Sequence, residues 1–359
     1  MKIRWRPGAA RRRLGAVALD RPLMAWPLLV PCGARACWRD FRNRRETLIP
    51  NPKGLGYDCD WRWTSDLTLA REFPSAGRGL LAAALADEPV RLAEAGAPSG
   101  ASAPDVSFVI GHRGAARLPL LQATLRSLLA QEGCSTEVLV VEQSQDPLLP
   151  DRLPADVRLV PQRPPQPGMA YSRSWAFNAG AREAKGCLLV FHDNDILAPT
   201  HYAAELLRLA AEGFEAFRLQ RFVFYLDDRS TASVLARRTP GDLDHNGLQP
   251  ELVRQNCQGH TIAVTREAYF RIGGHDEAFL GWGGEDNEFY DRCRLLRFHP
   301  WGYLPFVHLW HAPQPGKSNP AGTLAHLEEV MAVPREERAR RLAAIPIGSP
   351  DGPRLERSA

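Results

Sequence analysis

The chain has 359 residues, of which 44% are hydrophobic and 24% charged, with a formal net charge of +4. That length suits one sizeable α/β domain with smaller additions, and the apolar fraction is enough for a packed globular core. The small net charge excludes a strongly basic nucleic-acid binder, so no nucleic-acid partner is expected.

Arginines bunch at Arg4, Arg6, Arg11, Arg12 and Arg13, and again at Arg42, Arg44 and Arg45. A solvated basic end is the first reading, and peripheral attraction to an anionic membrane surface or a lipid-linked acceptor is the second. The apolar run 14–30 is broken by Asp20, Arg21, Pro22 and Pro27, so it is too interrupted to span a membrane. Its unbroken part, 14–19, is too short for a signal-peptide core. The seven cysteines are scattered without a C-x-x-C pair, which argues against a disulfide framework or structural zinc and suits a reducing cytosol. The expected location is cytoplasmic.

Three zones follow in chain order. Residues 1–103 are rich in Arg, Trp and Pro, carry no chemical motif, and end in a loop-like Gly/Ala/Ser/Pro stretch at 95–104. They read as an accessory region, and Trp38, Trp61 and Trp63 suggest a packed piece rather than disorder. Residues 104–320 alternate strand-like and helix-like segments. Residues 321–359 read as a helix followed by a polar tail, 348–359, that frays.

In the middle zone 106–110 is a short apolar run, the mark of a buried strand, and 111–117 is a loop. Leu118, Leu121, Leu125 and Leu128 then recur at helical spacing. A second strand is expected at 137–141, a helix at 172–184 and another strand at 187–191. Strand, helix and strand in alternation predict a mostly parallel sheet with helices on its faces. Ligands of such sheets bind beyond the carboxyl ends of the strands, which points to the loops after Ile110, Val141 and Phe191.

Those loops and a later segment hold three constellations. His192-Asp193-Asn194-Asp195 sets two carboxylates one residue apart after a buried strand, an oxygen-rich site for a hard cation; a loop of turn formers is the plainer reading. Gly281-Trp282-Gly283-Gly284-Glu285-Asp286 combines flexible glycines, a large aromatic and two acids at the start of a helix with an apolar stripe of Phe289, Cys293 and Leu296. Glu285 and Asp286 differ by about 100° of helix rotation, so one of them faces any given ligand. His308-Leu309-Trp310-His311, followed by Lys317, offers imidazoles to a transition metal, and both histidines reach one ion only if the chain turns between them.

Taken in order, these pieces resemble the catalytic domains of β-1,4-galactosyltransferases and of the bacterial chondroitin polymerase family over roughly residues 105–319. Gly281–Asp286 is similar to their W-G-x-E-D-type motif, and Tyr171–Gly180 to their aromatic-x-Arg segment ending in Asn-x-Gly. Asp193-Asn194-Asp195 stands where they carry D-x-D, Gly111-His112-Arg113 where they hold the nucleotide, and His311 at their metal-ligand histidine. The resemblance implies a GT-A Rossmann-like α/β sandwich and an inverting transfer of a hexose or N-acetylhexosamine from a UDP-sugar to a hydroxyl of a glycan or other acceptor. It implies Mn²⁺ (or Mg²⁺) on Asp195, His311 and His308. Gly111, His112, Arg113, Glu142, Arg173, Asn178, Asp193 and Lys317 would serve the donor and nucleotide. Trp282, Gly283 and Gly284 would meet the acceptor, and Asp286, with Glu285, would be the catalytic carboxylate. The segment Asn256–His260 corresponds to a wall of the donor pocket, where Cys257 in place of an aromatic would leave room for an N-acetyl group. A metal-dependent phosphoester hydrolase or nucleotidyltransferase, and a non-catalytic carbohydrate-binding protein, are the alternatives from other classes.

Overall fold

A computed structural model describes residues 11, 13–16, 38–61, 64–94, 103–312 and 320–354. Strands β1 (Leu48–Pro50) and β2 (Tyr57–Cys59) form an antiparallel hairpin, followed by β3 (Ser65–Asp66), α1 (Thr68–Glu72), α2 (Pro74–Asp87) and β4 (Arg91–Leu92). The alternation then begins: β5 (Val106–His112), α3 (Leu118–Leu129), β6 (Thr136–Glu142), β7 (Val157–Pro161), α4 (Arg173–Glu183), β8 (Leu188–His192), β9 (Ile196–Leu197) and α5 (Tyr202–Ala211). Next come β10 (Ala216–Phe217), β11 (Gln220–Leu226), α6 (Asp228–Ala236), β12 (Gly241–Asp242), β13 (Pro250–Gln255), β14 (Thr261–Thr265) and α7 (Arg266–Arg271). The chain continues through α8 (Glu285–Cys293), β15 (Phe298–His299), β16 (Leu304–His308), α9 (Pro320–Met331) and α10 (Arg335–Ala343).

The expected elements form for the expected reasons. Every residue of β5 is buried, as a strand covered on both faces requires. Leu118, Leu121, Leu125 and Leu128 on α3 enter one core with Phe108 and Val138. Helix α4 starts where the Ser172 hydroxyl accepts the Trp175 amide at 3.3 Å. The seven-stranded sheet runs β15-β10-β14-β8-β5-β6-β7, with β8, β5, β6 and β7 mutually parallel and β14 antiparallel to both neighbours. The molecule is thus α/β with a mostly parallel central sheet.

A second sheet, β3-β13-β11-β16-β9, was not foreseen. Its longer strands do carry apolar runs, at 222–226 in β11 and 304–307 in β16, but their partners lie far apart in the chain. It matters because β9, which follows the acidic loop directly, pairs antiparallel with β16 and sets His308 opposite Ile196.

Two boundaries drawn on sequence do not separate bodies here. The zone expected to be an accessory region is woven into the domain: Asp66 on β3 pairs with Arg254 on β13, and Leu92 on β4 with Gly241 on β12. Trp38, Leu80, Leu81 and Leu85 share a core with Phe222, Phe224, Val253 and Val307. Trp63 lies outside the described residues. The tail expected to fray is tied down as far as Arg354. The Trp175 indole donates to the Ser349 carbonyl at 2.7 Å, and the Gly348 and Arg354 amides donate to Glu277 at 2.6 and 2.8 Å. The five cysteines described are free thiols, and no helix among the described residues is long and apolar enough to cross a membrane.

Candidate active site

Pairing of β9 with β16 carries the histidine segment to the acidic loop. The Leu309 amide donates to the Asp195 carbonyl at 2.8 Å and the Trp310 amide to the Thr231 hydroxyl at 2.8 Å, so the chain leaves the strand after His308. That is the turn the histidine spacing demanded. Asp195, His308 and His311 each present an atom within 4.8 Å of the others. His311 Nε2 lies 3.3 Å from Asp195 Oδ2, and His308 Nε2 lies 3.8 Å from Oδ1.

The electrostatics suit a cation. Burial pushes the His308 imidazole down to about 4, outweighing Asp195, so the ring is neutral with a lone pair to give. Its Nδ1 is buried without a partner, while its face stacks on Tyr225 with ring centres 4.2 Å apart. Burial alone would raise Asp195; His308, His311 and Arg117 outweigh it and bring the carboxyl down to about 2. One ionised carboxylate and two imidazoles, two of the three side chains buried, fit a divalent transition metal.

A second cluster lies one residue back. Arg173, which opens α4, donates to Asp193 Oδ1 at 2.8 and 3.0 Å, also bonds Asp286 Oδ1, and sits 3.5 Å from Glu285. Three carboxylates therefore share one guanidinium. Burial would raise Asp193, yet Arg173 and His260 hold it well below the usual carboxylate range. Burial raises Asp286 in spite of Arg173, and burial with the Asp286 charge pushes Glu285 up to about 7. Glu285 Oε2 accepts the Gly283 amide at 3.0 Å, fixing the glycine loop. Gly281, Gly283 and Gly284 all have positive φ, which is why that loop is built of glycine, and a Cβ on Gly284 would meet the Phe279 ring at 2.8 Å. Trp282, between them, is 53% exposed and presents a broad aromatic surface four residues before Asp286.

Several expected donor residues are engaged elsewhere. Gly111 and His112 end β5, but His112 is buried and its Nδ1 lies 3.2 Å from the Asn194 amide, so it props the acidic loop from below. Arg113 spends three donors on the Gln143 carbonyl (2.8 Å), the Gln143 side chain (3.2 Å) and the Met169 carbonyl (2.7 Å). It bridges the loops after β5 and β6 to the segment before α4. Glu142 is buried, and its oxygens accept the Leu148 and Leu149 amides at 2.7 and 3.2 Å. Asn178 is fully buried among Tyr269, His275 and Glu277, with both ends of its amide bonded. Cys257 is buried against the hydrophobic core, with its thiol at the His260 side chain. Lys317 lies outside the described residues.

Tyr225 and Arg117, not singled out beforehand, join the site together with His260 from the expected wall segment. Because β8 and β14 pair antiparallel, the loop before β14 lies on the acidic loop, and the Asp193 amide donates to the His260 carbonyl at 2.8 Å. His260 holds a left-handed φ of 74°, an unusual conformation for a non-glycine residue, with Nδ1 3.4 Å from Asp193 and Nε2 2.6 Å from the Tyr225 hydroxyl. Arg117 lies between Asp195 and His311. Only its place after the first strand hinted at this; a lone arginine carries no spacing signal.

The chain folds as an α/β protein that brings its acidic loop, its histidine pair and its glycine loop into one site. Residues 245–302 match the family model described as the N-terminal domain of galactosyltransferase. That stretch runs from β13 through β15 and carries Trp282, Glu285 and Asp286, while Asp193, Asp195 and His311 stand outside it. No curated protein matches the chain. The match supports glycosyl transfer, and with it a sugar donor and an acceptor.

Proposed function

We propose that this chain is a GT-A, metal-dependent, inverting glycosyltransferase that moves a hexose or N-acetylhexosamine from a UDP-sugar to a hydroxyl of a glycan or other acceptor. The observation that carries the reading is the division of labour across one residue of the acidic loop. Asp195 turns to His308 and His311, whereas Asp193 turns through Arg173 to Asp286. A leaving-group centre and a proton-accepting centre thereby stand side by side, as a single displacement needs.

Asp195, His308 and His311 would hold the divalent ion, which when bound neutralises charge on the departing diphosphate. Imidazole ligands favour Mn²⁺ over Mg²⁺. Asp286 takes the proton of the acceptor hydroxyl as that oxygen attacks the anomeric carbon. Burial raises its pKa in spite of Arg173, which makes it a stronger base than an ordinary carboxylate. Glu285 holds the glycine loop, and Trp282 offers a face on which an acceptor ring stacks.

The test is a panel of UDP-sugars with Mn²⁺, with and without acceptor sugars and chelator. The reading expects UDP release that needs both the ion and an acceptor. Full turnover in chelator, or release of UDP indifferent to every acceptor, would overturn it.

A further inference from the structure

The metal ligands already hold a cation, and it belongs to the protein. Arg117 Nη1 donates to Asp195 Oδ2 at 2.7 Å and lies 3.3 Å from Asn194 Oδ1. Its Nη2 lies 3.0 Å from His311 Nε2. The same Nη2 is 3.3 Å from His311 Nδ1, which also lies 3.0 Å from the Ala312 carbonyl, so the guanidinium covers both nitrogens of the ring. These are the carboxylate and the imidazole that a metal would use. Two positive charges drawn to one buried carboxylate repel strongly.

Little else keeps Arg117 there. Its Nε is buried without a partner. It closes a short 3₁₀ turn, Ala115–Arg117, whose two alanines are exposed. Gly114 before it has φ 78° and open space where a side chain would be, so the turn is unpacked on its outer side. The same turn follows the carboxyl end of β5 and leads into α3, the place where a parallel sheet receives phosphate groups. A guanidinium there can bind a diphosphate through two parallel hydrogen bonds.

We infer that Arg117 is a resident counter-cation that guards the empty metal site and moves to the donor diphosphate when a divalent ion takes Asp195 and His311. This rests on the reading of Asp195, His308 and His311 as a metal centre. Arg117 is then a positioning residue that couples the two ligands. The ion alone must displace it and binds weakly, whereas a diphosphate gives the guanidinium a new partner and so tightens the ion. Linkage makes the effect mutual.

The experiment titrates Mn²⁺ by the electron paramagnetic resonance of the free ion, with and without UDP, on the full chain and on Arg117→Gln and Arg117→Lys. Without UDP, Arg117→Gln should bind Mn²⁺ about tenfold more tightly than the parent chain, within the usual range of coupling between sites. The tightening that UDP brings should shrink in the same variant. Arg117→Lys keeps the charge and should stay near the parent value, which separates loss of charge from general damage. Unchanged or weaker Mn²⁺ binding by Arg117→Gln without UDP overturns the inference. A parent chain that binds no Mn²⁺ even with UDP overturns the metal centre itself, a different and recognisable failure.

Discussion

At the first turn of α8, Glu285 and Asp286 crowd with Asp193 round the single guanidinium of Arg173. One turn later the ratio reverses. Glu288 accepts from Arg292 at 2.6 and 2.7 Å and from Arg338 at 2.6 Å, and Asp291 is met by Arg335 and Arg338. Arg292 spends a further donor on the Ile272 carbonyl. The rear face of the helix is a closed, fully bonded network that joins α8 to α10. The front face is short of positive charge and its carboxyls are lifted by burial, whereas behind them burial of Asp291 is outweighed by Arg335 and Arg338, which bring it down. Matched charges fasten a helix; an excess of one sign leaves protons and ligands something to do.

The contrast can be broken most sharply at its front. Asp286→Asn keeps the shape and one oxygen for Arg173 but removes the proton acceptor. Transfer should slow by ~10²–10⁴-fold, with UDP and Mn²⁺ binding and the melting temperature nearly unchanged. If the variant fails through lost nucleotide affinity, Glu285 becomes the candidate base. At the rear the expected loss is of stability instead. Glu288→Ala leaves Arg292 and Arg338 buried together and should cost about 3–5 kcal/mol in denaturant unfolding. A change within error would show the network to be ornamental.

The acidic limb of the rate profile sharpens the same comparison. A base with a raised pKa stays protonated further up the scale, so the acidic limb of activity should lie above the range of an ordinary carboxylate. A limb near pH 4, the range of an ordinary carboxylate, would mean that the front acids are as well balanced as the rear ones. The smallest effect belongs to Trp282→Ala. Loss of a stacking surface worth about 1 kcal/mol should raise the acceptor KM about fivefold and leave donor binding alone. An equal rise for the donor would place the ring on the wrong substrate.

Much of this was legible before any coordinates. The strands ending at His112, Glu142 and His192 were visible as apolar runs, and the acids following His192 were visible as chemistry because parallel sheets put it there. The histidine pair was legible only as a condition, that the chain turn after His308, which the pairing of β9 with β16 meets. What misled was residue type without environment. Glu142, Arg113 and Asn178 stand at suitable positions, yet each is consumed by backbone groups or neighbours that sequence does not reveal. Arg117 was invisible for the opposite reason, being an isolated residue made important by what folds onto it. The second sheet was hidden because its partners lie far apart in the chain.

That last point has a temporal side. Asp66 finds its partner in Arg254, 188 residues later, and Arg39 reaches the Tyr303 carbonyl across 264. A chain emerging from its N-terminus therefore carries Trp38 and the leucines of α2 for most of its synthesis before their core mates Phe222, Val253 and Val307 arrive. Such late closure slows folding and leaves an apolar segment waiting in the open. Trp38 and the leucines of α2 are made before these partners and find their place only when the partners arrive.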